Sequence, residues 1–415
     1  MNKLYLIKSS LNNLFKNKVR SALTILGISI GIVAVIVVMS AGDSLKKFVS
    51  GQLEMFGPNL IQIEVKVPST KKNSTDNAMG LATGVTITTL TYDDAEAIAK
   101  LKNVEAISPG LTGQELASFE GQIKKSLLWG GSEDFLKVNR MNLKEGRFFS
   151  KEENDGLVKV AVLGSKVKEK LFGDSDCLGK NIKLNRTNYR VIGVFEKQGA
   201  AGFMDMDSII YLPVKTLQKQ ILGVDHVIFI SLVVKDQTKI DDTADEIVQL
   251  LRLRHNITSP EKDDFSVTTM AEAQSMIDTI FNGLTILLLA LVAISLLVGG
   301  VGIMNIMYVT VSERTYEIGL RKSVGATNQD IFFQFLFESL VMTLAAGFVG
   351  ILVGLFLVYL IFVIAASQGF VMEFNFSLFG ILIAIIFSLT VGLIFGLTPA
   401  RRASLLEPVS ALRQE

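Results

Sequence analysis

The sequence predicts an integral membrane protein with four transmembrane α-helices plus a large extracytoplasmic α+β domain. Three observations carry this. Charged residues are missing from four long blocks and dense elsewhere. Lysines and arginines cluster at alternate ends of those blocks. The long stretch between the first and second blocks shows the alternating and helical patterns of a folded body rather than a linker.

The spans come first. A bilayer core of about 30 Å needs roughly 20 apolar residues in a helix. Residues 21–42 supply the first span, between Arg20 and Asp43. Its apolar run is too long for a signal-peptide core and no A-x-A site follows, so it is read as an uncleaved anchor. The second span is read at 279–311, the third at 331–366 and the fourth at 374–400. The second and third lie in charge-free runs, Thr279–Ser312 and Ser339–Met372, longer than a crossing needs, which predicts tilt or projection beyond the bilayer.

Orientation follows from the flanking cations. Lys3, Lys8, Lys16, Lys18 and Arg20 precede the first span. Arg314, Arg321 and Lys322 lie between spans two and three, and Arg401, Arg402 and Arg413 follow the fourth. Only Glu373 lies between spans three and four. Both termini and the 312–330 loop are therefore expected in the cytoplasm, with residues 43–278 outside. Leu4, Ile7, Leu11 and Leu14 recur at helical spacing among lysines, so residues 1–20 read as an amphipathic helix on the inner membrane surface. Residues 401–415 form a cytoplasmic tail.

In the outward domain, Ile61, Ile63, Val65 and Val67 alternate as in a half-buried strand. Ser69–Ala78 reads as a polar loop. Thr91 and Asp94 stand at capping-box spacing before Ala95 and Ile98. A second helix is expected over Asp241–His255, and strands over Val227–Lys235 and Phe265–Thr269. Residues 121–223 differ in composition. Strands are expected at Val158–Leu163, Asn181–Leu184 and Tyr189–Phe195, with a hairpin turn at Asn185–Asn188. This part reads as a β-rich subdomain inserted between 43–120 and 224–278.

Much chemistry is missing. Net charge is +1, which argues against a nucleic-acid partner. One cysteine, Cys177, excludes a disulfide framework within the chain. Two distant histidines make a zinc site improbable. Gly173 and Gly179 are separated by five residues and Asn181 follows Lys180, so this stretch is a turn rather than a phosphate-binding loop. No catalytic residue is assigned, no cofactor is expected in the chain, and the expected activity is not enzymatic. Glu338 is read as an interfacial carboxylate or a transmitting one, and Asn305 as an interhelical hydrogen-bonding residue. Gly27/Gly31, Gly350/Gly354 and Gly392/Gly396 form G-x-x-x-G pairs, which let helix backbones approach in lipid. They serve packing within the chain or dimerisation.

The most informative segment is Ser312–Asp330. Glu313, Glu317 and Arg321 recur at i, i+4 and i+8, in favourable acid-before-base order at the second pair, while Ile318 and Leu320 interrupt the polar face. Gly325 is placed to end the turn. The run resembles the R-x-x-E-I-G-[IL]-R-x-x-x-G-A signature of FtsX-type ABC permeases, with Arg314, Glu317, Ile318, Gly319, Leu320, Arg321, Gly325 and Ala326 matching. Asn12–Gly31 resembles the basic lead-in to that family's first span. Pro399, Ala400, Arg401, Arg402, Ala403 and Pro408 resemble its exit from the fourth. In size and order the outward domain is similar to that of the MacB (macrolide-exporter) branch.

The resemblance implies further expectations. Residues 43–120 and 224–278 would be porter-like. Glu313, Arg314, Glu317, Ile318, Gly319, Arg321, Gly325 and Ala326 would couple to an ABC ATPase carrying ATP and Mg. That branch fuses its ATPase ahead of the first span. This chain starts almost directly at that span, so the ATPase is expected as a separate subunit. A second permease copy, most simply a homodimer, and a periplasmic or extracellular adaptor are the other expected protein partners, with membrane lipids around the spans. The expected work is mechanotransmission for efflux of antibiotics, peptides or lipopeptides from the cytoplasmic membrane. Lipoprotein release and regulation of a cell-wall hydrolase or a sensor remain alternatives.

Overall fold

The computed structural model describes residues 18–54, 56–68, 86–201, 204–367 and 376–412. The amphipathic helix expected before residue 18, the polar loop Ser69–Ala78, the Glu373 link and Arg413 lie outside the described residues. The chain divides into two compact units: Met1–Phe48 with Asp278–Glu415, and Val49–Ile277.

Four helices are long and apolar enough to cross a membrane. They are α1 (Lys18–Glu54), α5 (Met270–Glu313), α7 (Asn328–Ser367) and α8 (Leu378–Ser404). Two of these helices run past the predicted spans. Helix α1 does not stop at Gly42 but continues through Asp43 and Lys46 to Glu54. Helix α5 starts at Met270, ahead of the predicted 279. Charge ends an apolar block without ending a helix, because helix formation needs only backbone bonding and tolerates lysine and aspartate. Lys46 and Asp278 form an ion pair at 2.9 Å just past those two apolar blocks.

The bundle is built on close backbone approach. Lipid gives little hydrophobic drive between helices, so small residues at crossings decide which faces meet. A Cβ placed on Gly350 or Gly354 would lie 2.8 Å from the Cβ of Ile32 or Ile36, so α7 crosses α1 there. One on Gly31 would lie 3.0 Å from Leu296 of α5. Gly392 and Gly396 meet Thr343 and Ser339 across the α7–α8 crossing. Ser339 Oγ donates to the Gly392 carbonyl at 3.0 Å. Gly27 has no atom within 4 Å of such a Cβ, yet its carbonyl faces Gly299. Except at Gly27, these glycines are thus met by helices of the same chain.

The Val49–Ile277 unit is a ten-stranded sheet with helices. Its strands are β1 (Leu60–Val65), β2 (Val104–Phe119), β3 (Gln122–Gly131), β4 (Leu143–Gly146), β5 (Val160–Leu163), β6 (Asn181–Leu184), β7 (Thr187–Phe195), β8 (Ile209–Pro213), β9 (Phe229–Val234) and β10 (Phe265–Thr269). The order is β10-β1-β9-β2-β3-β8-β5-β7-β4, with β6 pairing β2 and β7. Ile61 and Ile63 point into a core with Ala95 and Ile98 of α2 (Tyr92–Ile98) and Ile247 and Leu251 of α4 (Ile240–Arg254). The predicted box at α2 forms: Asp94 accepts from the Thr91 backbone N–H at 2.8 Å and from its hydroxyl at 2.7 Å.

Beside its strands, the predicted β-rich insert holds α3 (Ser165–Phe172) and shorter helices. Its edge does not fall cleanly at Gly121. Strand β2 pairs with β9 up to Gly110 and with β3 from Leu111, so one strand belongs to both halves. The hairpin turn is also tighter than Asn185–Asn188. Leu184 pairs with Thr187, and Asn185 and Arg186 both take positive φ, as a two-residue primed turn requires.

A buried ionic cluster staples α2 to the end of α4. Arg254 reaches Asp94 at 2.5 Å, and His255 sits between Asp264 at 2.8 Å and Asp94 at 3.4 Å. Hydrogen bonds donated to Asp264, then to Asp94, raise the His255 pKa to about 9. Burial pushes Asp94 up, but His255, Arg254 and Thr91 outweigh it and hold its carboxyl well below the usual range.

Candidate functional site

The connector between α5 and α7 folds as a short helix, α6 (Thr315–Ser323). The break before it falls at Arg314, whose φ of −107° leaves the helical region. Its end is a Schellman motif. Gly325 N–H donates to the Lys322 carbonyl and Ala326 N–H to that of Arg321, at 3.1 and 3.0 Å. Gly325 takes φ +106°, which a side chain resists. Thr327 and Asp330 then cap α7: the Thr327 N–H and hydroxyl donate to the carboxylate at 3.1 and 2.6 Å.

Helix α6 has three different sides. The ionic side faces α7. Glu317 bridges Arg321 at 2.6 Å and Arg314 at 3.1 Å. Arg321 also donates to Gln334 at 2.8 Å, and Arg314 reaches the buried Glu338 at 3.2 Å. Gln334 and Glu338 stand one turn apart on α7, so two arginines from the connector grip two adjacent rungs of the long helix. Paired and hydrogen-bonded in this way, Glu338 can remain in a buried position.

The second side faces the end of the chain. Beyond α8 lies a short helix, α9 (Pro408–Leu412). A Cβ on Gly319 would lie 2.8 Å from that of Ala411, so only glycine permits this approach. Ile318 is buried beside it. Lys322 Nζ donates to the carbonyls of Ser404 and Leu406, both at 2.7 Å, closing the C-terminal end of α8. Burial lowers the Lys322 pKa.

The third side is open. Tyr316, Leu320 and Val324, at i, i+4 and i+8, are 58%, 49% and 83% exposed. An apolar stripe on an exposed face marks a surface for association. Sequence reasoning missed it, although the i, i+4, i+8 spacing was readable, because three apolar residues on a short polar segment do not by themselves show which side stays open. Of the predicted coupling residues, Arg314, Glu317 and Arg321 form the brace to α7. Ile318 and Gly319 form the seat for α9, and Gly325 and Ala326 form the cap. Glu313 is exposed at the end of α5. The contact with α9 carried no signal in the sequence, since it joins residues distant along the chain.

Among the described residues, no group of three or more His, Cys, Asp or Glu is placed to hold a metal ion. The Gly179–Lys180 stretch is a turn, with Gly179 at φ +76°.

Comparison with known proteins gives the family of the chain. The family described as MacB-like periplasmic core domain matches residues 21–250, and the FtsX-like permease C-terminal family matches residues 277–408. The chain is 36% identical over 404 residues to the macrolide export ATP-binding/permease protein MacB of Bdellovibrio bacteriovorus, covering 96% of this chain and 60% of that protein. It is 37% identical to the protein of that name from Chlorobaculum tepidum, covering 99% of this chain and 61% of that protein. It is 33% identical to the pyoverdine export ATP-binding/permease protein PvdT of Pseudomonas syringae pv. tomato, covering 99% and 60%. The chain thus spans about 60% of the length of the curated relatives it matches. Among solved structures, the periplasmic region of MacB from Actinobacillus actinomycetemcomitans aligns at TM-score 0.46 and 22% identity, covering 55% of this chain and 95% of that one.

Proposed function

Because the chain belongs to the MacB-like, FtsX-type permease family, we propose that it is the membrane component of an ABC exporter. An ABC ATPase docks on α6. Its ATP-driven closure moves α5 and α7, and the Val49–Ile277 domain changes shape outside the membrane. The cargo is an antibiotic, peptide or lipopeptide, and a second permease copy and an adaptor complete the assembly. In this reading the termini and α6 are cytoplasmic, as the flanking cations require. The protein itself is a multi-pass membrane protein.

One observation carries the reading. Helix α6 is clamped by charges on one side and by a glycine contact on another, while its apolar stripe stays open. A rigidly held element with an exposed apolar face is suited to pass force from a partner into two long helices. The pairing of permease and ATP-binding functions in the relatives' names supports the same partner.

The test is ATP hydrolysis by the ABC ATPase co-purified with the full chain in lipid. Tyr316→Asp with Leu320→Asp is expected to dissociate the ATPase or abolish permease-dependent stimulation. Leu253→Asp, at a residue 78% exposed on α4, should change nothing. Unchanged assembly and stimulation in the α6 variant would overturn the docking assignment.

A further inference from the structure

The Val49–Ile277 domain holds a cleft of about 430 Å³ that the docking of an ATPase does not explain. Pockets of roughly 300–1,000 Å³ with apolar walls and a few convergent polar groups are the usual form of a small-molecule site. The floor is the face of the β10-β1-β9 sheet opposite its packed core. Strand register sets Ser231, Gln62 and Thr268 abreast, with Glu64 beside Ser266. The walls are apolar: Leu53 and Phe56 at the end of α1, Met270, Ala273 and Met276 at the start of α5, and Trp129 of β3.

That combination differs from an ordinary solvated sheet face, which has no apolar walls, and from a packed one, which has no polar floor. The floor also offers groups that can hydrogen-bond a ligand. Ser231 Oγ donates to the Gln62 side-chain carbonyl at 2.6 Å, which leaves the Gln62 amide nitrogen to donate elsewhere. The buried indole N–H of Trp129 finds no acceptor among the described residues. A buried donor without an acceptor costs about 1–3 kcal/mol. Methionine side chains adapt to irregular apolar shapes, which suits Met270 and Met276 to a flexible chain.

We propose that this cleft binds an amphiphile whose polar part presents carbonyl hydrogen-bond acceptors, of the chemical class of an N-acylated peptide amide. The acyl chain lies along Leu53, Met270 and Met276. The carbonyl groups accept from Gln62 and Thr268 on the floor. This deepens the exporter reading by giving its outward domain a ligand class. Binding is measured without ATP or ATPase, so the proposal can fail while that reading stands, and the reverse.

Trp129 is the only tryptophan in the chain and lines the cleft, so its emission reports occupancy directly. The experiment titrates N-octanoyl-glycyl-glycinamide into the full chain in zwitterionic lipid nanodiscs. A saturable change in Trp129 emission is expected. Ala273→Phe, which fills the cleft, should weaken it at least about tenfold, and Gln62→Leu with Thr268→Val by about five- to tenfold. The floor variant replaces exposed-face polar groups by shapes of similar size, so it tests the site even where Ala273→Phe misfolds. No saturable change, or the same change in both variants, would mean partition into lipid alone and would overturn the proposal. Weakening by Ala273→Phe with full affinity in the floor variant would overturn the assigned ligand class.

Discussion

Two ionic networks, one in each unit of the chain, are built from similar parts and do different work. In the Val49–Ile277 domain, Asp94, Arg254, His255 and Asp264 join α2 to the end of α4 beside one continuous core. In the other unit, Glu317, Arg314, Arg321, Gln334 and Glu338 join α6 to α7. The first includes a titratable imidazole and closes a body upon itself. The second contains no histidine and leaves the far side of its helix open. Charge placed around a core locks it, whereas charge placed behind an exposed apolar stripe braces a surface that something else must press.

The largest effect should come from breaking the brace. Glu338→Ala leaves Arg314 without its buried partner and is expected to destabilise the bundle by about 3–5 kcal/mol. Arg314→Leu with Glu338→Leu should restore much of that loss in thermal unfolding, because removing both charges costs far less than removing one.

The domain cluster should show itself through pH. The folded pKa of His255 is raised to about 9 from the ordinary imidazole value of 6.5. Its contribution is therefore complete below the unfolded pKa and is lost as pH rises through the folded one. A rise of this size corresponds to roughly 3 kcal/mol. The unfolding midpoint of this domain should fall between about pH 7 and 9.5, and His255→Gln should lower it at pH 6.5 and flatten the slope.

A smaller effect is expected at the cap. Gly325→Ala forces a side chain to φ +106° and should cost about 1 kcal/mol, visible as a modest fall in melting temperature.

Much of this architecture was legible. The four spans follow from missing charge, and the α6 cap follows from Gly325. The limits of the reading have physical causes. Asp43 and Lys46 mark the end of the apolar stretch, yet α1 runs on because backbone bonding ignores polarity. β2 is one strand of sixteen residues although it holds Pro109, Gly110 and Gly113. Pro109 is tolerated because β9 lies on one side of it while β3 pairs only from Leu111. At α6 the signature residues were visible, but not their direction. Glu317 and Arg321 turn inward to brace α7, and Gly319 owes its identity to Ala411, nearly a hundred residues further along.

The central claim is that the open stripe of α6 is where an ABC ATPase docks. Cys177 is the only cysteine, so Cys177→Ser with Leu320→Cys gives a single reporter on that stripe. The measurement is its rate of maleimide labelling in membranes, with and without the co-expressed ATPase. The account predicts fast labelling from the cytoplasmic side that falls at least about tenfold when the ATPase is bound. Labelling from the opposite side, or a rate indifferent to the ATPase, would contradict it.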